Sequence, residues 1–167
     1  MKIELVIHTD ALRGKTYQDF IQFLFKNSDE FYVVTRTMHR KYDYASEPLN
    51  TLLQHCTKEY KANSWAGTKT SGGYSAVVHH LRCERTTRLL LQNSADCLSD
   101  WIWPKLPEDP TFLWHGEPWF YSTTHEKQGR FQITDDTEHL LPQIRNYLNP
   151  QLIDGLVYSS GKASRRA

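Results

Sequence analysis

The first part of the chain alternates apolar and polar positions in two distinct periods. In residues 2–8 apolar side chains occupy every second position, which predicts a strand with one buried face. From Thr16 to Leu24 apolar residues recur at the third and fourth positions, which predicts an amphipathic helix that ends near Asn27. Residues 30–36 are β-branched and aromatic and predict a buried strand. The order is therefore strand, helix, strand.

The rest of the chain continues in the same manner. Ser46 is a suitable N-cap for a second helix, whose inner stripe of apolar residues runs from Leu49 to Tyr60. The later elements are a strand, a helix, two strand arms of a hairpin, a strand and a last helix, over residues 74–83, 87–102, 111–114, 119–125, 129–133 and 140–148. We predict an α+β or mixed α/β fold: a single domain in which about four helices cover a central sheet of about five or six strands.

Length and charge restrict the class of protein. The 167 residues fit one domain, which we assign to residues 1–158, followed by a flexible basic tail over residues 159–167. The 20 basic and 19 acidic residues leave a net charge of +1, which gives no field to attract nucleic acid or an acidic membrane surface. No apolar run approaches the roughly 18 residues of a membrane span, and the N-terminal apolar stretch is too short for a signal peptide. We expect a cytoplasmic protein, either a monomer or a small homo-oligomer.

Cysteines and histidines are not spaced as a metal site requires. Cys56, Cys83 and Cys97 include no C-x-x-C pair. His79 and His80 are adjacent on a predicted strand, so their side chains should point to opposite faces and cannot share an ion. We expect one of them to be half-buried and the other solvated. The sequence therefore predicts no metal and no cofactor, and it assigns no catalytic residue.

The segment WHGEPWFYSTTHE, residues 114–126, concentrates aromatic and ionisable side chains around one glycine and one proline. Two strand arms joined by four residues would place Trp114 opposite Trp119. His125 would then lie roughly 20 Å along the strand from the turn that holds His115, at about 3.3 Å per residue. One ion cannot bind both histidines, so we interpret the segment as a hairpin that fills the core. An aromatic ligand pocket is the alternative.

The segment TDALRGKT is the best candidate for an anion-binding loop. It follows a predicted strand and opens a helix, and Gly14, Lys15 and Thr16 match the end of the phosphate-binding pattern G-x-x-x-x-G-K-[ST]. However, Thr9 replaces the first glycine, and Asp10 inside the loop would repel phosphate. We expect a plain loop with a threonine cap and keep an anion site as the alternative.

Other residues are candidates for contact with a ligand or a partner. His8, at the end of the first predicted strand, belongs to the same candidate ligand site as the loop. Trp65 lies in the glycine-containing loop WAGTKTSGG and is a candidate surface anchor, although packing against the core is the alternative. Trp119, His125 and Glu126 in the hairpin segment are further candidates for a surface contact.

Three segments resemble one family of small proteins. LVIHTDALRGKTYQDFIQFLF, SWAGT and LPEDPTFLWHGEPWFYSTTHE are similar to stretches of an uncharacterised family from Gram-positive spore-forming bacteria. The resemblance covers nearly the whole chain and implies no established activity, so it transfers no catalytic residue. Some members are labelled stage III sporulation protein AH. The protein of that name is membrane-anchored, and this sequence shows no such anchor, so the label is not transferred.

These observations favour a non-enzymatic soluble domain that binds a protein partner or a small ligand, such as an accessory or immunity-type protein. The first alternative is a small phosphate- or nucleotide-binding enzyme that uses the loop Thr9–Thr16. The second alternative, which the resemblance implies, is a sporulation-associated structural protein.

Overall fold

The computed structural model describes residues 2–36, 47–71, 76–147 and 156–157. Helices and strands alternate irregularly along these ranges, and short 3₁₀ turns connect several of them. In chain order the elements are β1 (Ile3–His8), α1 (Lys15–Lys26), β2 (Glu30–Arg36), α2 (Glu47–Leu53), β3 (Cys56–Ala62), β4 (Ser64–Trp65), β5 (Thr68–Lys69), β6 (Ala76–Arg82), α3 (Arg85–Ser94), β7 (Glu108–Trp114), β8 (Glu117–Thr123), β9 (Gln128–Ile133), α4 (Leu141–Tyr147) and β10 (Leu156–Val157).

The described residues form a single α+β domain built on one large antiparallel sheet. Eight strands pair in the order β10–β1–β9–β8–β7–β2–β6–β3, and β4 pairs with β5 in a separate hairpin. The α+β class and the four helices confirm the prediction, whereas the predicted number of five or six sheet strands was too low. The predicted tail over 159–167 lies outside the described residues.

The helix α1 supplies a large part of the main hydrophobic core. The ring of Phe20 in α1 packs edge to face against the ring of Phe120, with the ring centroids 5.3 Å apart. The hydroxyl of Tyr17 donates to the carbonyl of Leu91 at 2.7 Å and accepts from Nε1 of Trp101 at 2.9 Å. Because Tyr17 is fully buried, these bonds satisfy its hydroxyl and tie α1 to α3 and to the turn after it.

The strand β2 shows how the two faces of the sheet are covered. Phe31 and Val33 belong to the core that α1 and α3 cover, whereas Tyr32 and Val34 belong to a second apolar cluster. Alternate residues of a strand point to opposite faces, so the two clusters lie on opposite sides of the sheet. Trp65 of β4 packs against the second cluster. We call these two sides the helix face and the hairpin face.

Residues 56–62 form β3, not the predicted continuation of α2. The helix ends after burying Leu49 and Leu52, and β3 then pairs antiparallel with β6. The predicted apolar stripe included Cys56 and Tyr60, but Tyr60 is 42% exposed. Pairing with β6 gives the backbone of residues 56–62 a set of inter-strand hydrogen bonds. The local preference of this segment for a helix is weak, so this tertiary pairing overrides it.

The helix α3 is shorter than the predicted helix over 87–102. It begins after Glu84, whose side chain forms a reciprocal capping box with Thr87, and it ends at Ser94. Leu98 is buried, but it lies in a 3₁₀ turn, and Ile102 is 45% exposed. The apolar periodicity therefore extends beyond the helix into a turn that happens to bury one of the same positions.

The strands β7 and β8 form the predicted hairpin in a different register. The turn is the dipeptide 115–116, in which both residues have a positive φ, not a four-residue connection. A bulge follows, because Phe112 lies opposite Phe120, and Trp119 has no opposite residue. The predicted pairing of Trp114 with Trp119 was therefore wrong, while the prediction that this segment fills the core is confirmed by the buried side chains of Trp119 and Phe120.

Candidate functional site

The predicted anion-binding loop lies between β1 and α1. Gly14 has a left-handed φ of 58°, and its N–H donates to the carbonyl of Asp96 at 2.9 Å. The exposed side chain of Lys15 forms an ion pair with Asp19 one turn later. Lys15 and Thr16 line an open groove of about 780 Å³ along α1. The amide of Gly14 is thus used within the protein, and anion binding by Lys15 and Thr16 stays a prediction.

His8 lies near two of the other predicted residues at one end of the sheet. It is opposite Gln128 in the β1–β9 ladder, and the next residue along the chain donates its N–H to the carbonyl of Lys127 at 3.0 Å. His125 and Glu126 occupy the 3₁₀ turn that precedes this pair. The fold therefore brings the end of β1 beside this turn, although His8 is far in the sequence from His125 and Glu126.

Asp109 is the centre of the polar contacts at this end of the sheet. It is fully buried near the start of β7, just before the strand arm predicted over 111–114, and has a φ of 52°. Its carboxylate accepts from Nε1 of Trp65 at 2.8 Å and Oγ1 of Thr68 at 3.2 Å. It also accepts from N of Thr124 at 2.9 Å and Oγ1 of Thr124 at 2.7 Å. Asp109 therefore ties the β4–β5 hairpin to the turn after β8.

The β4–β5 hairpin is pressed tightly against the hairpin face. Gly67 has a φ of 77°, and a Cβ at this position would lie 2.7 Å from the ring of Tyr121. A backbone N–H of the turn donates to the hydroxyl of Tyr32 at 3.0 Å. The guanidinium carbon of Arg36 lies 4.8 Å from the centroid of the Trp65 ring. The half-buried Trp65 ring is thus held by the sheet, by Asp109 and by Arg36.

Glu108 adds a second buried carboxyl next to Asp109. It is 8% exposed and accepts a hydrogen bond from Nε of Arg36. Burial raises the pKa of Glu108, and the charge of Asp109 raises it further, while Arg36 and His125 act in the opposite direction. A buried carboxyl with a raised pKa beside a residue with left-handed backbone is a combination that occurs often at functional sites.

The four residues predicted as surface contacts differ in exposure. Trp119 is 2% exposed and donates from Nε1 to Oγ of Ser28 at 2.8 Å, so its prediction as a surface contact was wrong. The bulge in β8 turns its ring into the core of the helix face. The side chains of His125 and Glu126 are 54% and 52% exposed and lie 3.8 Å apart. Trp65 packs against the sheet yet keeps part of its surface open.

The prediction that His79 and His80 point to opposite faces is confirmed. Nε2 of His79 lies 2.9 Å from Oγ1 of Thr35, which shares the helix face with Val33. The ring of His80 packs 5.3 Å from that of Tyr32 on the hairpin face. Both histidines are buried, with 6% and 8% exposure, so the expectation that one is solvated was wrong.

One group of described residues has donor atoms close enough to bind a metal ion. Cys56, Glu59 and His79 place one donor atom each within 4.8 Å of the others. The sequence predicted no metal site because the cysteines include no C-x-x-C pair and because His79 and His80 point to opposite faces, and it placed Cys56 on the second helix. Only the pairing of β3 with β6 brings the three side chains together.

Comparisons with protein-family models, with curated proteins and with solved structures found no match for this chain. The resemblance to the family from spore-forming bacteria therefore stays a prediction. Among the described residues, none of the helices combines the length and the apolar character needed to cross a membrane.

Proposed function

We propose that the protein is a non-enzymatic binding domain that recognises a peptide or a small polar ligand through the surface around Trp65. The surface consists of Trp65, Arg36, His125 and Glu126. One observation carries the proposal: the half-buried Trp65 ring is fixed by a hydrogen bond from Nε1 to Asp109 at 2.8 Å and by the Arg36 guanidinium 4.8 Å from its centroid.

The residue types and their rigidity support this role. Tryptophan and arginine are enriched among the residues that contribute most to binding energy at interfaces. A side chain that is already held in one conformation loses little entropy when a ligand binds. The exposed His125 and Glu126 lie on the turn that Asp109 holds, so they can supply polar contacts around the aromatic centre.

The contacts of the polar side chains nearby support binding over catalysis. The Asp109 carboxylate accepts four hydrogen bonds, so its lone pairs are already engaged. Ser122, which precedes His125 and Glu126 in the sequence, is fully buried and donates its hydroxyl to the carbonyl of Pro110 at 2.9 Å. The serine is therefore turned away from the two exposed side chains.

Chemical-shift mapping of the ¹⁵N-labelled protein with a library of short peptides and polar fragments tests the proposal. We expect the compounds that bind to shift the amide signals of residues 64–69 and 124–126. A double variant, His125→Ala with Glu126→Ala, should weaken the same binding by about tenfold, since about 1.4 kcal/mol corresponds to that factor. The matched control Lys15→Ala should leave the affinity unchanged. Binders that shift only signals far from this surface would contradict the proposal.

The groove along α1 favours a second candidate function, the binding of a phosphate-containing ligand. It is lined by Lys15, Thr16 and Lys26 among others and has a volume of about 780 Å³, which fits a small ligand. Nucleotides and phosphorylated metabolites should then raise the thermal midpoint of the wild-type protein but not of Lys15→Ala. Equal shifts in both proteins, or none, would remove this candidate.

A further inference from the structure

An irregularity in β3 changes the direction of one side chain. Glu59 lies opposite His79 in the β3–β6 ladder, but three residues earlier Cys56 lies opposite Leu81, which leaves Thr57 as the extra residue of a β-bulge. One extra residue shifts the alternation of side chains by one position. Cys56 is thereby brought to the same face as Glu59 and His79, where regular pairing would have put it on the other.

The imidazole of His79 is buried and is oriented by one of its two nitrogens. Nε2 lies 2.9 Å from the hydroxyl of Thr35, and donation from Nε2 leaves a lone pair on Nδ1. Nδ1 lies 3.2 Å from a carboxylate oxygen of Glu59. Despite this proximity, Nδ1 is one of the few buried side-chain nitrogens of the described residues that lack a well-formed hydrogen bond.

An unsatisfied nitrogen in the sheet is costly unless it binds something. A buried acceptor without a partner destabilises a fold by the full loss of its hydration, and such groups are uncommon in native proteins. Nδ1 lies beside the carboxylate of Glu59, and the thiol of Cys56 is the third donor of the group.

We propose that Cys56, Glu59 and His79 form a binding site for a transition-metal ion of the zinc class. Thiolate, imidazole and carboxylate are the three ligand types of protein zinc sites, whereas magnesium and calcium prefer oxygen donors alone. The hydroxyl of Thr35 lies 2.9 Å from Nε2 of His79, where it can accept a hydrogen bond and orient the imidazole, as the partners of metal-binding histidines usually do. Three protein ligands leave the fourth position to water.

The distances require only a small adjustment. Ligand atoms of one tetrahedral zinc ion, at about 2.0–2.3 Å from the metal, lie about 3.3–3.6 Å from one another. The three donors lie within 4.8 Å, so they must approach by about 1 Å. The Glu59 side chain is 66% exposed and can move to close this gap, while His79 stays fixed by the sheet. The thiol of Cys56, which lies 3.3 Å from the carbonyl of Lys58, would lose its proton on binding.

Cobalt(II) titration of the full chain, after treatment with a chelator, tests this site. Cobalt takes the place of zinc and gives a near-ultraviolet charge-transfer band when a thiolate binds it. We expect this band to appear with one ion per chain in the wild-type protein and to be absent in Cys56→Ser. The matched control is Cys83→Ser, which changes another half-buried thiol and should keep the band.

Two further variants keep the test independent of folding. Glu59→Gln changes an exposed position, so the variant should fold, yet it should bind cobalt at least tenfold more weakly. Thr35→Val should keep the charge-transfer band but weaken binding by about 10- to 100-fold, because it removes the partner that orients His79. Absence of the band in the wild-type protein, or its persistence in Cys56→Ser, would overturn the proposal. So would equal affinities of Glu59→Gln and the wild-type protein.

Discussion

Asp109 and His79 are both buried polar side chains on strands of the same sheet, yet their surroundings differ. Asp109 is 0% exposed, and its carboxylate accepts four hydrogen bonds from Trp65, Thr68 and Thr124. His79 is 6% exposed and has Thr35 at one ring nitrogen and no hydrogen bond at the other. Both carboxylate oxygens of Asp109 therefore have hydrogen-bond donors, whereas Nδ1 of His79 lacks a hydrogen bond.

The difference separates a structural role from a binding role. A buried group whose hydrogen bonds are complete holds its neighbours in place, so Asp109 positions the β4–β5 hairpin and the Trp65 ring. A buried group with an open acceptor lowers stability until something binds it. We therefore infer that Asp109 supports the recognition surface indirectly, whereas His79 contacts its ligand.

The largest effect is expected for Asp109→Ala. The substitution leaves the half-buried donors of Trp65 and Thr68 and the buried donors of Thr124 without their acceptor, at about 1–3 kcal/mol for each unsatisfied buried group. We expect the free energy of unfolding to fall by about 3–5 kcal/mol, as measured by urea denaturation. The control Asp136→Ala, at an exposed position, should change it by less than about 0.5 kcal/mol. A small loss for Asp109→Ala would mean that the hairpin does not depend on this carboxylate.

The next largest effect is expected for Gly67→Ala, which tests how tightly the hairpin is pressed on β8. A Cβ here would lie 2.7 Å from the ring of Tyr121, and the φ of 77° adds strain. Gly116→Ala is the matched control, because its φ is 81° and no atom lies within 4 Å of the added Cβ. The control should lose about 1–2 kcal/mol of unfolding free energy, and Gly67→Ala should lose about 1–3 kcal/mol more. Equal losses of unfolding free energy in the two variants would show that the β4–β5 hairpin can shift away from β8 at little cost.

A smaller effect with a defined pH dependence is expected from Glu108. Because burial holds the pKa of Glu108 above its usual range, the folded protein binds this proton more tightly than the unfolded chain does. The resulting stability is fully present below the usual carboxyl pKa and is lost as the pH rises through the raised pKa of the folded state. The free energy of unfolding of the wild-type protein, minus that of Glu108→Gln, should therefore fall as the pH rises through this window. A difference that grows with pH would show that the attraction of Arg36 outweighs burial.

The smallest effect is expected for His79→Leu in the absence of metal. The substitution removes a nitrogen that has no hydrogen bond, and it leaves only the Thr35 hydroxyl to find another partner. We expect the free energy of unfolding to change by less than about 1 kcal/mol, since replacing an unsatisfied buried polar group by an apolar one is often nearly neutral. With zinc present, the wild-type protein should gain thermal stability and His79→Leu should not. A large loss without metal would place His79 in the same structural class as Asp109.

The sequence predicted best the elements whose apolar pattern is local. The strand over residues 2–8, the helix that starts near Thr16 and the strand over 30–36 agree with β1, α1 and β2 to within a residue or two. Their apolar faces are long enough to specify both the element and the side that it buries.

The polar sites depend on pairing between distant strands, which no local pattern encodes. Asp109 meets Trp65 and Thr68 across 44 and 41 positions of the chain. The donors of the proposed metal site meet only because β3 pairs with β6 and because a bulge at Thr57 shifts Cys56 to the correct face. The run over 56–62 contains only two residues that favour strands, Thr57 and Tyr60, so the local sequence did not predict β3.

The central claim is that Nδ1 of His79 is an open metal ligand inside a folded sheet. The ¹⁵N chemical shifts of the His79 ring, measured without metal and after addition of zinc, test it most directly. We expect a neutral ring with the proton on Nε2 before addition, followed by a selective shift of Nδ1 when zinc binds. A proton on Nδ1 in the metal-free protein, or no change of its signal with zinc, would contradict it.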